Sequence, residues 1–166
     1  MKTVGVAAAL AIALVVAGSG LGFAGLAQAD ELFKATMTGD QEVPPVVTNT
    51  TGKVFFLLNK EETAMEFQLH VSDGVRVTQS HIHCAPGGVN GPIIIFLAGF
   101  HDRGWDVDGK WVSSATVTNA NITNTSCGAT LSAIAQAMRD GRTYANVHSV
   151  AHPGGEVRGQ IAPAGD

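Results

Sequence analysis

The sequence has few charged residues and no excess of basic ones. Asp, Glu, Lys and Arg make up 14% of its 166 residues, whereas hydrophobic residues make up 45%. A chain this apolar and weakly charged does not have the composition of a disordered protein. Ten basic residues against fourteen acidic ones give a formal net charge of −4. With no basic surface to hold phosphates, the sequence predicts no nucleic-acid partner.

The familiar motifs of covalent catalysis are also missing. The sequence contains no Gly-x-Ser-x-Gly elbow around a nucleophilic serine and no complete phosphate-binding loop. Its two cysteines are too few for a disulfide-dense mini-protein. The length suits one ordinary domain. These absences favour a binding or structural module over an enzyme.

The first 29 residues have the pattern of a secretory signal peptide. Lys2 is the only charged residue before Asp30, and the apolar run between them ends in the small-x-small triplet Ala27-Gln28-Ala29. This pattern predicts cleavage after Ala29, which leaves residues 30–166 as a single domain without a membrane span. The alternative is an uncleaved membrane anchor, since the run is long enough to cross a bilayer.

The predicted export determines whether the two cysteines are expected to form a disulfide. A secreted or periplasmic protein folds in an oxidising compartment, where a bridge between Cys84 and Cys127 would close a loop of about 44 residues. The alternative is a pair of separate buried thiols.

The first part of the mature chain has the pattern of β-strands. Residues 64–71 alternate between apolar and polar side chains, which is typical of a half-buried strand. A β-rich run, residues 52–58, precedes them across a polar turn, so the two segments predict a hairpin. Residues 92–97 form a continuous apolar run, which predicts a short strand covered on both faces.

The second part adds hairpins and one helix. Asp108-Gly109 is a tight-hairpin signal between residues 105–107 and 110–112, and residues 144–161 predict a final hairpin. Only residues 129–140 have helical spacing, and Gly141 follows them as a C-cap. The pattern predicts an all-β fold, an antiparallel β-sandwich or Greek-key barrel, with one short helix in a late connection.

Three histidines form a candidate metal site. His81 and His83 are two residues apart in a strand, so their imidazoles point to the same side and can converge on one ion. His148 in the final hairpin is a candidate third ligand, and His152 is a possible fourth. Imidazole suits copper and zinc. The alternative is that the pair is simply polar residues at a strand end.

The other candidates have simpler alternatives. His70 falls on the polar face of its strand and is expected to be solvated, and His101 stands in a charged loop. Arg158 shares a strand face with Glu156 and Gln160. It either guides an anion toward a bound metal, or it pairs with a carboxylate or packs over the hairpin.

Three segments together resemble the CHRD domain, a module named from the animal morphogen antagonist chordin and also found in many exported microbial proteins. The segments are residues 32–45, residues 80–93 and residues 141–161. The resemblance implies an extracellular or periplasmic β-sandwich with an unidentified protein or cell-surface partner, and it implies no established enzyme activity.

A weaker resemblance is to copper/zinc superoxide dismutase. His81 and His83 are similar to its strand pair, His148 to its later copper ligand, and Arg158 to its substrate-guiding arginine. The chain lacks that family's second cluster for zinc and its bridging histidine. The two hypotheses are therefore a binding or structural module and, as the alternative, a mononuclear copper protein that handles copper or dismutates superoxide. Copper is the expected ion, with zinc second.

Overall fold

The computed structural model describes residues 30–105 and 110–165. The predicted signal peptide and the predicted turn at Asp108-Gly109 lie outside the described residues. Within them the strands are β1 (Glu31–Met37), β2 (Thr51–Leu58), β3 (Ala64–Ser72), β4 (Val77–Cys84), β5 (Ile93–Ala98), β6 (Lys110–Thr118), β7 (Thr143–Ser149), β8 (Val157–Gln160) and β9 (Ala162–Pro163). The helices are α1 (Leu131–Arg139) and two 3-10 turns, Gly39–Gln41 and Asn119–Asn121.

The strands form two antiparallel sheets. One sheet has five strands in the order β6-β3-β2-β1-β9, and the other has four in the order β5-β4-β7-β8. Two of the three predicted hairpins are present, with β2 paired to β3 and β7 paired to β8. The all-β sandwich expected from the sequence is confirmed, with its helix late in the chain.

The residues that flank the predicted Asp108-Gly109 turn pair with other strands. Trp105 forms an isolated bridge with Val77, at the start of β4. Lys110 lies opposite Ser72 of β3, and β6 continues along β3 from there. Trp105 therefore pairs with the four-stranded sheet and Lys110 with the five-stranded sheet.

The core lies between the two sheets. Strands β1, β2 and β3 alternate between buried and more exposed residues, which confirms the alternation predicted over residues 64–71 of β3. Their inward side chains, among them Phe33 and Phe56, pack in one cluster with Ile82, Ala145 and Val147 of the four-stranded sheet. Fully burying a large apolar side chain contributes roughly 1.5–3 kcal/mol. This cluster therefore holds the two sheets together.

Strand β5 departs from the sequence expectation. Ile94, Ile95 and Leu97 are buried, but Phe96 is 43% exposed. The prediction that both faces of this strand are covered is therefore wrong. β5 is an edge strand, and on its outer side the ring of His81 packs edge-on against Phe96, with the ring centres 4.7 Å apart.

Helix α1 and a disulfide close one end of the sandwich. Thr130 caps the helix by accepting a hydrogen bond from the Ala133 amide, and Gly141 follows the helix with a φ of 66°. The expected disulfide joins Cys84, at the end of β4, to Cys127, with their Cα atoms 5.7 Å apart. Within the described residues, no helix has the length and hydropathy that a membrane crossing requires.

Candidate metal centre

The four-stranded sheet carries polar side chains on the face that points away from the core. Neighbouring residues of a strand point to opposite faces, so Ile82 in the core directs His81 and His83 outward. On β7, Val147 in the core likewise directs Asn146 and His148 outward. Strands β4 and β7 are hydrogen-bonded neighbours, with His81 opposite Asn146. The topology thus brings the H-x-H pair and the third histidine together.

The three predicted histidines form one cluster. His81, His83 and His148 can each offer a ring nitrogen such that the three atoms lie within 4.8 Å of one another. The closest approach is 3.1 Å, between His81 Nδ1 and His148 Nε2. Three nitrogens bound tetrahedrally to a copper- or zinc-sized ion would be about 3.3 Å apart. The cluster therefore has to contract by about 1.5 Å at most to hold such an ion.

Hydrogen bonds on the outside of the cluster fix the protonation of two of the rings. His83 Nδ1 lies 2.8 Å from the Gly91 carbonyl oxygen, and His148 Nδ1 lies 2.9 Å from the Pro153 carbonyl oxygen. A carbonyl oxygen only accepts, so each neutral ring carries its proton on Nδ1 and donates it. Both Nε2 atoms then present lone pairs to the inside of the cluster. Carbonyl partners of this kind also orient histidines that bind metals.

The third ring is oriented by a side chain instead of the backbone. His81 Nε2 lies 3.1 Å from the Gln79 amide oxygen. When that oxygen accepts the Nε2 proton, His81 Nδ1 presents a third lone pair inward. Gln79 is the residue that interrupts the alternation before the pair, and the β4–β7 register shifts between Val77 and Gln79.

Asn146 lies between two of the histidines and cannot satisfy both. Its amide nitrogen is 2.7 Å from His148 Nε2, and its amide oxygen is 3.1 Å from His83 Nε2. The nitrogen donates to His148, but the oxygen faces another acceptor. Turning the amide over moves the same conflict to His148. Whichever way the amide is turned, its oxygen faces the lone pair of one ring nitrogen, and a cation at the centre of the cluster would relieve this contact between two acceptors.

Burial keeps these imidazoles neutral. His81 is fully buried, and His83 and His148 are each less than 10% exposed. Burial, reinforced by the neighbouring His148 and His83, lowers the pKa of His81 to about 3. Burial also lowers the pKa values of His83 and His148 below the ordinary range. A metal ion needs neutral imidazoles, so the site is ready for one at neutral pH.

Arg158 lies on the same face of the sheet but is enclosed by other groups. It is 2% exposed, and its guanidinium carbon lies 3.4 Å from the ring centre of Tyr144. Its nitrogens donate to the Pro86 and Val89 carbonyl oxygens and to the Asn90 side chain, at 2.9–3.2 Å. The structure thus packs Arg158 over the hairpin and uses it to hold the 86–91 loop across the polar face.

The remaining histidines are not part of the cluster. His152, the possible fourth ligand, is half-buried in the turn after β7 and does not join the group of possible ligands that the structure brings together. His70 is exposed, as expected from its strand face. His101 is half-buried instead of forming part of a charged surface, and its ring stacks on Trp105 with ring centres 5.1 Å apart.

Sequence reasoning missed two residues of the site. Asn146 is two positions before His148 in the same strand, so the period of two that paired His81 with His83 would have placed it on the same face. Tyr144 follows by the same rule, and it stacks on His83 with ring centres 4.6 Å apart and planes 6° apart.

Two antiparallel sheets, one of them with a buried histidine cluster under its loops, define a β-sandwich domain with a candidate metal centre. Comparison with known families adds an identity to this class. The chain belongs to the CHRD domain family, whose model matches residues 33–161. No curated protein and no solved structure matches the chain.

Proposed function

We propose that this protein is an exported CHRD-domain module that binds one transition-metal ion through His81, His83 and His148. The observation that carries the proposal is the contact between two acceptors that Asn146 cannot avoid inside the cluster. The backbone holds the protons of two rings on the outside, and Asn146 can donate to only one of the inward nitrogens. Buried acceptors without donors are costly, and a metal ion would remove that cost.

The donor set favours copper, with zinc as the second choice. Neutral imidazoles suit both ions. Structural zinc sites generally use four protein ligands, whereas catalytic ones use three and keep the fourth position open for water. Within residues 30–105 and 110–165, the group of possible ligands contains the three histidines and no carboxylate or thiolate. A three-nitrogen set fits a copper ion of low coordination number.

The same geometry favours metal handling over superoxide chemistry. An arginine that guides an anion needs free N–H groups facing the approach to the metal. Arg158 instead donates to two carbonyl oxygens and an asparagine side chain, and it is almost fully buried. We therefore propose a binding role, with no turnover of superoxide.

Location and partner complete the proposal. The disulfide between Cys84 and Cys127 fits an oxidising compartment, and CHRD domains fit an extracellular setting. We propose that residues 1–29 are removed on export and that residues 30–166 act as one secreted or periplasmic domain. The sequence contains no feature that identifies a protein or cell-surface partner.

A metal titration tests the proposal. Purified protein is titrated with copper and with zinc against chromogenic chelators, and the His83→Ala variant is compared with His70→Ala as the matched control. His70 lies on the exposed face of the other sheet, so its loss leaves the site intact. We expect one ion per chain and at least a hundredfold weaker binding in His83→Ala alone. Equal affinities for the two variants would contradict the proposal.

A further inference from the structure

We propose that the histidine cluster selects a monovalent ion, Cu(I), over the divalent ions Cu(II) and Zn(II). This inference rests on the proposed metal site and adds the charge of its occupant. It follows from three features of the structure: a neutral ligand set, a buried position, and a buried cation beside one ligand.

The ligand set supplies no negative charge. Among the described residues, the possible ligands that converge are His81, His83 and His148, and imidazole binds a metal ion in its neutral form. The amide of Asn146, which adjoins them, is also neutral. The cost of moving an ion from water into a low-dielectric interior grows with the square of its charge. A divalent ion at this site therefore bears about four times the desolvation cost of a monovalent one, with no anionic ligand to offset it.

A stack of three side chains places a positive charge next to the cluster. Strands β4 and β8 lie on opposite sides of β7, so His83 and Arg158 approach Tyr144 of β7 from opposite sides. The guanidinium carbon lies 3.4 Å from the Tyr144 ring centre, and the His83 ring is parallel to the tyrosine at 4.6 Å. The ring of Tyr144 thus lies between the Arg158 charge and His83. The Arg158 charge repels a divalent ion twice as strongly as a monovalent one.

The carboxyl group that faces this guanidinium compensates its charge incompletely. Glu42 is 6% exposed, and its Oε1 atom is buried without a hydrogen-bond partner. Burial, opposed by the Arg158 charge, raises the pKa of Glu42 to about 7. At neutral pH only about half of the molecules therefore carry a negative charge there.

The other buried carboxylate is Glu156, and the expectation that it shares a strand face with Arg158 is wrong, because its hydrogen bonds lie on the other side of the sheet. Glu156 accepts hydrogen bonds from Ser149, Thr48 and Thr50. Ser149 is adjacent to His148 in β7, so its side chain points to the opposite face from the cluster. The negative charge of Glu156 is thus separated from the ion site by the strand and is held by three hydroxyl groups.

Two variants that change the charge in opposite directions test the inference. Arg158→Met removes the cation and retains an aliphatic stem for packing, whereas Glu42→Gln removes the partial compensation. The matched controls are Arg142→Met and Glu66→Gln, both at exposed positions away from the cluster. For each protein, the affinity for Cu(I) is measured anaerobically by chelator competition, and the affinities for Cu(II) and Zn(II) are measured in the same way, all at pH 7.

We expect the unmodified protein to bind Cu(I) at least a hundredfold more tightly than Zn(II) or Cu(II). Arg158→Met should narrow the preference for Cu(I) over Zn(II) by about tenfold, and Glu42→Gln should widen it several-fold, because one unit of charge about 10 Å away acts with roughly this strength inside a protein. Neither control should change it.

The outcomes separate this inference from the proposed function. Failure of every ion to bind would overturn both. Binding of Zn(II) or Cu(II) as tightly as Cu(I) would overturn the inference and leave the metal site in place. Equal effects of the charge variants on all three ions would also overturn it. If Arg158→Met does not fold, as judged by circular dichroism, the shift in Glu42→Gln decides alone.

Discussion

The two sheets of this sandwich treat their outer faces in opposite ways. In the five-stranded sheet, β2 alternates strictly between buried and exposed residues, so its outer face is in water. In the four-stranded sheet, all seven residues of β7 are buried, including those that point away from the core. The outer face of the second sheet is covered by loops, although it carries His83, Asn146 and Arg158.

This difference indicates where the fold carries its specific chemistry. Burying polar groups costs free energy unless each finds a partner. The five-stranded sheet avoids that cost with Glu66, Gln68 and His70 in solvent. The four-stranded sheet bears the cost of burying polar groups. Hydrogen bonds satisfy most of these buried groups, but not all of them. A shallow groove of about 610 Å³ on the outside of the five-stranded sheet has no comparable cluster of titratable groups.

The largest effect on stability that we expect comes from removing the disulfide at the end of β4. Replacing both Cys84 and Cys127 with alanine should lower the free energy of unfolding by about 4 kcal/mol, because the bridge closes a loop of about 44 residues in the unfolded chain. Urea denaturation would measure the loss. Hydrogen exchange should also increase more in β4 than in β2. A uniform increase in both sheets would contradict the local role of the bridge.

The next effect concerns a carboxyl group under the loops. The pKa of Glu42 is raised to about 7 by burial, so its protonated form is favoured in the folded protein. The protonated carboxyl group of Glu42 contributes fully to the stability of the folded protein below pH 4.5, and this contribution is lost as the pH rises through 7. Glu42→Gln should therefore stabilise the protein at pH 8 by about 3 kcal/mol and change little at pH 4.

The matched control for that prediction lies on the other sheet. Glu66 is exposed on β3, so Glu66→Gln should change stability by less than about 0.5 kcal/mol at either pH. The measurement is the difference in urea midpoint between each variant and the parent protein across the pH range. A Glu42→Gln variant that is less stable than the parent at pH 8 would show that the carboxylate is compensated in the fold.

The accuracy with which the sequence predicted the strands also differed between the two sheets. The alternation over residues 64–71 predicted β3 and its partner β2, because one face of each meets water and the other the core. Strand β5 broke the rule, since its apolar run gave no sign that Phe96 is exposed.

The site was predictable as far as local geometry reaches. The i, i+2 spacing paired His81 with His83. His148 joins them through the pairing of β7 with β4, which no local pattern specifies. The contacts of Arg158 were not predictable, because they depend on how the 86–91 loop folds over the sheet. The tautomers were not predictable either, since the backbone acceptors at Gly91 and Pro153 come from two separate loops.

The smallest effect on stability that we expect comes from Gly155→Ala, which tests how closely the loops pack over the polar face of the four-stranded sheet. Gly155 has a φ of 133°, and a Cβ atom added there would lie 2.5 Å from Glu42 Oε1. Gly155→Ala should therefore cost about 2 kcal/mol from backbone strain and crowding. At the neighbouring Gly154 an added Cβ meets no atom within 4 Å, so Gly154→Ala should be nearly neutral.

A double variant separates the two causes. Adding Glu42→Ala to Gly155→Ala removes the crowding and leaves the strained φ, so it should recover part of the loss relative to Glu42→Ala alone. Thermal and urea unfolding of the four proteins would measure the coupling. If Gly155→Ala and Gly154→Ala were equally harmless, the turn would have room to move, and the loops would not pack tightly on the histidine-bearing sheet. Such a result would remove the contrast between the two sheets, because the outer faces of both would then be open to water.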